Sequence, residues 1–229
     1  MMKYFLIIVL SLFSVFVIKI LMRAGLSSVK GLEYEPIIPF MDQIRTVFGH
    51  LKIRWLIVAA VNMFCCLILA GYYHADMINI INILLLLSVL WACAAYDIRY
   101  EIIPNSILIA GVAARIVLLG IQILMSPQDF AYYAVNAFGA CIALLITGEI
   151  CRLVSRESVG MGDIKLLAMI GLFLGVDSSF YTVMASILVL FVLSVFLLIT
   201  KKADRNTAIP FAPFLLVGLI LSTVGYGVY

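Results

Sequence analysis

Charged side chains are scarce in this chain of 229 residues. Asp, Glu, Lys and Arg make up 12% of it, whereas hydrophobic residues make up 66%. This composition leaves too little polar surface to cover a water-soluble globule, so we predict a membrane protein. The net charge of +3 says little about partners, because in membrane proteins the positions of Lys and Arg relative to the spans are informative. No feature indicates nucleic acid binding.

The chain also lacks paired cysteines. Its five cysteines lie within or at the ends of apolar runs, without a CxxC pair and without a histidine at ligand spacing. We interpret them as small core residues and predict neither a metal site nor a cofactor. Linkers rich in Gly, Pro or Ser and internal repeats are also missing, which indicates a single membrane domain over residues 1–229.

Long apolar runs are what the chain does contain. A helix of about 20 residues crosses the roughly 30 Å hydrocarbon core of a bilayer, so these runs predict an all-α, polytopic bundle of about eight helices. The first run is expected to be a retained span, because residues 19–25 offer no small-x-small cleavage site. The predicted spans are about 4–22, 55–73, 79–96, 104–124, 131–151, 163–176, 180–200 and 211–228.

The cationic residues predict how the bundle is oriented. They collect in every second connection, whereas the connections near 74–76, 126–129 and 177–179 have none, and Lys3 is a minor exception. Because cytoplasmic loops collect Lys and Arg, we expect both termini outside a plasma or inner membrane. The first connection, about 23–54, is expected to lie against the membrane surface. The cations of the odd-numbered connections are Arg23, Lys30, Arg45, Lys52, Arg54, Arg99, Arg152, Arg156, Lys165, Lys201, Lys202 and Arg205.

Two carboxylates at the ends of apolar runs are the candidate catalytic groups. Asp97 ends the third predicted span and Asp163 follows Gly160, Met161 and Gly162. A single aspartate there would suit a helix cap or an interfacial charge. Two carboxyls within hydrogen-bonding distance share one proton and so supply a general acid and a general base, as in aspartic proteases.

Glycine or proline residues lie close to each of the two aspartates in the sequence. Gly160 and Gly162 allow unusual backbone angles and the close approach of a peptide, although an ordinary turn before a helix has the same pattern. Pro104-Asn105 predicts a sharp reversal after Asp97 and the start of the next span. The tract 209–214, which contains Pro210 and Pro213, either starts the last span or also lines the site.

Together these segments resemble the type IV prepilin peptidase family, the membrane aspartic proteases of the GxGD type. The resemblance implies that Asp97 and Asp163 are catalytic and that leaders are cleaved from prepilins or pseudopilins, after a glycine, on the cytoplasmic side. It is carried by Asp97-Ile-Arg99, Ile103-Pro104-Asn105, Gly160-Met161-Gly162-Asp163-Ile-Lys165-Leu166 and Ile209-Pro210-Phe211-Ala212-Pro213-Phe214.

The first connection departs from the family pattern. Many members carry two CxxC pairs there and also methylate the new N-terminus, whereas this connection has no cysteine. Methylation with S-adenosylmethionine therefore stays open, and the mass of the cleaved product would decide it. A related enzyme with another membrane substrate, such as an archaellin precursor, is one alternative. A transporter or noncatalytic scaffold that binds protons or ions at the two aspartates is another.

Three further polar residues have interpretations of their own. Glu149 is expected to form an ion pair with Arg152 at i+3. Arg115, deep in the fourth predicted span, is expected to snorkel or to pair inside the bundle. For Lys165, neutralisation of the aspartates and contact with membrane phospholipid stay open.

Overall fold

The computed structural model describes residues 2–29, 51–155, 159–200 and 209–228. These residues form seven α-helices, and a short 3-10 turn at Pro127–Asp129 leads into the fifth. Of the predicted connection 23–54, residues 23–29 and 51–54 are helical, which differs from the prediction, and residues 30–50 lie outside the described residues. The helices are α1 Met2–Val29, α2 Leu51–Gly71, α3 Met77–Tyr100, α4 Asn105–Met125, α5 Phe130–Val154, α6 Met161–Ile199 and α7 Ala212–Tyr226.

The helices are apolar enough for a bilayer. Five of them, α1 and α3 to α6, contain stretches long and apolar enough to cross a membrane, and α2 and α7 are shorter apolar helices. The described part of the chain contains no strand, as expected where hydrocarbon forces each segment to satisfy its own backbone hydrogen bonds. The prediction of an all-α polytopic membrane bundle is confirmed.

Helix α3 is the centre of the bundle. Its leucines 86, 87 and 90 are fully buried, and α1, α2, α4 and α7 pack around it. Helix α5 is apolar but mostly exposed, and it packs chiefly against α6. A helix that is hydrophobic on all sides yet outwardly exposed suits a lipid environment.

Helix α6 is broken at Gly175, whose φ of 73° and ψ of −172° are not helical. The predicted connection at 177–179 was therefore wrong: these residues are helical, and the interruption falls before them. The polar run Asp177-Ser178-Ser179 suggested a loop, but Asp and Ser favour the first turn of a helix as well as loops. We call residues 161–174 α6a and residues 176–199 α6b.

The chain reverses direction at this break. In α6a, Gly148 of α5 packs against Ile164, and Asn82 near the start of α3 bonds the carbonyl of Phe173. In α6b, Thr182 pairs with Ser222 near the end of α7. The two halves thus run antiparallel, and counting them separately gives eight helical segments among the described residues. We refer below to the Asp97 end and the Gly175 end of the bundle.

Candidate active site

Asp97 lies in the last turn of α3 and its side chain is only 5% exposed. Its Oδ2 accepts a hydrogen bond of 2.8 Å from the backbone N–H of Ala212, the first residue of α7. The first N–H groups of a helix have no partner within the helix, and its dipole is positive at that end. The start of α7 is therefore a built-in donor for this buried carboxyl group.

The chain reverses immediately after Asp97, as predicted. Glu101 adopts a left-handed conformation with φ of 52°, and its N–H donates a hydrogen bond of 2.9 Å to the carbonyl of Asp97. The buried Pro104 precedes the first residue of α4, Asn105. A proline is tolerated at a helix start because the N–H it lacks would have no intrahelical partner. The four residues 101–104 thus join α3 to α4 at the Asp97 end.

Asp163 is half-buried in the first turn of α6a. A Cβ atom at Gly160 would lie 3.2 Å from its Oδ2, so glycine lets the backbone approach this carboxyl group closely. Gly160 and the next residue, Met161, are exposed. Asp163 lies at the same end of the bundle as Asp97, because residues 162 and 165 on either side of it meet the segment that follows Asp97.

Two contacts join residues 160–165, which begin with the turn at Gly160–Gly162 that we call the glycine turn, to the segment after Asp97. A Cβ atom at Gly162 would lie 3.1 Å from the Cβ atom of Ile103. Lys165 donates a hydrogen bond of 3.0 Å from Nζ to Oδ1 of Asn105, and both side chains are exposed. Segments about 60 positions apart are thus in direct contact beside both aspartates.

The proline tract contributes through its backbone. Pro210 is buried before the helix and Pro213 stands in the first turn of α7, so the predicted helix start is confirmed. The sequence indicated the prolines as candidate site residues, whereas the backbone N–H that bonds Asp97 belongs to Ala212. An alanine carries no chemical signal of its own, and only its position at a predicted helix start could have suggested a free N–H donor.

Glu149 and Arg115, two further polar residues that the sequence singled out, have structural partners. Arg152 pairs with Glu149 at 3.1 Å, which confirms the predicted ion pair. Arg115 is buried and bonds the carbonyl of Leu172 at 2.9 Å, so it pairs inside the bundle. Among the described residues, no group of three or more His, Cys, Asp or Glu side chains could hold a metal ion.

This geometry offers two carboxyl groups of different exposure at one end of the bundle. The buried one is held by a helix N-terminus, and the other starts a helix beside an exposed glycine turn. A carboxyl pair of this kind can exchange protons with a water molecule and a polar substrate group between them. The glycine turn leaves room for an extended backbone to approach.

The chain is similar to known leader peptidases. Residues 84–200 match the type IV leader peptidase family, a stretch that includes both aspartates and ends before Pro210. No solved structure matches the chain.

The curated relatives that match the chain include three, described here, that are each named prepilin leader peptidase/N-methyltransferase. The one from Bacillus subtilis is 31% identical over 193 residues, which cover 83% of this chain and 75% of the relative. The one from Stutzerimonas stutzeri is 30% identical over 66% of this chain and 53% of its own length. The one from Klebsiella pneumoniae is 32% identical over 47% of this chain, and the match spans 46% of that relative. This chain belongs to the type IV leader peptidase family.

Proposed function

We propose that this protein is a membrane aspartic endopeptidase that removes the leader peptide from type IV prepilins or pseudopilins, with Asp97 and Asp163 as its catalytic pair. The substrate class rests on the family and on the names of its relatives. The observation that carries the proposal is the meeting of three distant segments around Asp97. Ala212 bonds its carboxyl group, Gly162 packs on Ile103, and Lys165 bonds Asn105.

In the proposed reaction the two carboxyl groups hold one proton between them. The ionised carboxylate removes a proton from water, and the resulting hydroxide attacks the carbonyl carbon of the scissile peptide bond. The protonated carboxyl group donates a hydrogen bond to the carbonyl oxygen. Collapse of the tetrahedral intermediate breaks the C–N bond, and a proton passes to the leaving nitrogen. No covalent link to the enzyme forms, and no metal or cofactor takes part.

The charge pattern supports catalysis at the cytoplasmic face. Arg23, Arg99, Arg152 and Lys165 all lie at the Asp97 end of the bundle, and cytoplasmic ends of membrane helices collect Lys and Arg. A precursor whose hydrophobic segment lies in the bilayer would then present the bond after its glycine at the level of Asp97. The chain acts in this proposal as a single membrane domain with both termini outside.

A cleavage assay in membranes tests the proposal. A prepilin is incubated with the parent protein, with Asp97→Asn and with Asp163→Asn, and leader loss is followed by mass. Both variants should lose cleavage, because an amide can neither take a proton from water nor share one with its partner. Asp129→Asn, an exposed position between α4 and α5, is the matched control and should cleave normally. Parental cleavage by either catalytic variant would overturn the assignment, and a transporter or scaffold would cleave in no form.

A further inference from the structure

The break at Gly175 leaves backbone groups without their helical partners. In an uninterrupted helix the carbonyls of Leu172 and Phe173 would accept from the N–H groups of residues 176 and 177. Gly175 turns the chain with a φ of 73°, so these carbonyls need other donors. Unsatisfied backbone groups are costly in hydrocarbon.

Polar side chains from three helices bond the backbone groups that lack helical partners at the break. Arg115 of α4 donates from Nε to the carbonyl of Leu172 at 2.9 Å, and Asn82 of α3 donates to the carbonyl of Phe173 at 2.7 Å. Beyond the break, the N–H of Val176 donates to Oδ1 of Asn136 on α5 at 2.9 Å. Both ends of the interrupted helix are thus capped from outside it.

Arginine is suited to this position in the bundle. Its side chain is 5% exposed, its Nη1 donates to Oε1 of Gln122 at 2.8 Å, and its guanidinium lies 6.0 Å from the ring centre of Phe173. A cation is favoured at a helix C-terminus, where the helix dipole is negative. The buried charge is therefore placed against the end of α6a and held by an amide.

Helix α4 follows α6a along its whole length. Asn105 contacts Lys165 at the Asp97 end, Gly111 packs against Met169 in the middle, and Arg115 bonds Leu172 at the Gly175 end. The two helices are parallel in this contact. α6a begins two residues before Asp163, so a shift of α6a along α4 moves this carboxyl group relative to Asp97.

We propose that Arg115 is a positioning residue, which sets the height of Asp163 in the bundle by anchoring the far end of α6a through Leu172. This inference rests on the proposed function for its effect on cleavage. Its structural part, the position of α6a on α4, can be measured without any substrate.

The first measurement is the steady-state cleavage of a prepilin by Arg115→Met and Arg115→Lys. Arg115→Met removes the donors at similar length, and kcat should fall by about tenfold or more with KM little changed, because a misplacement of ~1 Å costs about 10²-fold. Arg115→Lys keeps a charged donor and should recover part of the loss. The matched control is Asn62→Leu, which breaks another network, from the fully buried Asn62 to Ser14 and Trp91, away from α6.

The second measurement reports the position of α6a directly. Asn105→Cys and Lys165→Cys are introduced together into full-length protein whose five native cysteines are replaced, and a short bifunctional thiol reagent is applied in membranes. Arg115→Met should lower the cross-linking yield clearly, whereas Asn62→Leu should leave it unchanged. An unchanged yield in Arg115→Met, or an equal loss in Asn62→Leu, would overturn the proposal. If the parent cleaves no prepilin, the proposed function fails, while this yield still decides the positioning role.

Discussion

The ammonium group of Lys165 lies 3.0 Å from the side-chain oxygen of Asn105, and this hydrogen bond joins the helix that carries Asp163 to the helix that follows Asp97. Lys165 stands two positions after Asp163 in α6a, and Asn105 is the first residue of α4. A hydrogen bond between two exposed side chains therefore helps to fix the separation of the two aspartates. The sequence left open whether Lys165 neutralises the carboxylates, and in the structure its ammonium group bonds the amide oxygen of Asn105 instead.

Removing this bond should slow cleavage modestly. A hydrogen bond of this kind contributes about 1 kcal/mol, so Lys165→Met and Asn105→Leu should each lower kcat/KM by about fivefold. Prepilin cleavage in membranes measures the effect. The double variant should lose no more than either single variant, because both remove the same interaction. Losses that multiply would show that Lys165 acts independently of Asn105.

A side chain at Gly162 should crowd Ile103 and shift the turn slightly. Its added Cβ atom would lie 3.1 Å from the Cβ atom of Ile103, and neither atom belongs to a flexible side-chain end, so the turn has to move. We expect Gly162→Ala to lower kcat with little change in the melting temperature. Gly139→Ala, where a Cβ atom meets nothing within 4 Å, is the control for alanine in a helix. Parental kcat in Gly162→Ala would show that this contact does not hold the turn in place.

Gly175→Ala should destabilise the fold. The position has a φ of +73°, and a Cβ atom would clash with the side-chain amide of Asn136. Strain at such a backbone position costs on the order of 1–3 kcal/mol before the steric clash is added. Thermal unfolding in detergent measures the loss.

Gly120→Ala is the matched control for that variant. It lies within α4 with no neighbour within 4 Å of an added Cβ atom, and alanine stabilises a helix interior by about 0.5–1 kcal/mol relative to glycine. The two variants should therefore shift the melting temperature in opposite directions. Equal shifts would contradict the special role of Gly175.

The starts of two helices, the membrane spans and one ion pair were predictable from the sequence. Pro104 and Pro213 mark the starts of α4 and α7 because proline is tolerated only in the first helical turn. The apolar runs located the spans, since hydrocarbon requires a helix of sufficient length. The Glu149–Arg152 pair followed from helical spacing alone.

Contacts between distant segments were not predictable in the same way. Asp97 and Ala212 are far apart in the chain, and no periodicity indicates that a backbone N–H of one helix reaches the side chain of another. The break at Gly175 depends on caps from Arg115, Asn82 and Asn136, which lie on three other helices. The sequence near residue 175 therefore predicted an ordinary loop, placed a few positions after the actual break.

The catalytic pairing of Asp97 and Asp163 is tested most directly by a kinetic comparison of Asp97→Asn, Asp163→Asn and the double variant on a prepilin in membranes. Each single variant should lower kcat/KM by at least about 10²-fold, the range lost when a general acid or base is removed. The double variant should be no slower than the slower single variant, because the two carboxyl groups act as one unit. Losses that multiply, or near-parental cleavage by either single variant, would contradict the proposal that Asp97 and Asp163 form one catalytic pair.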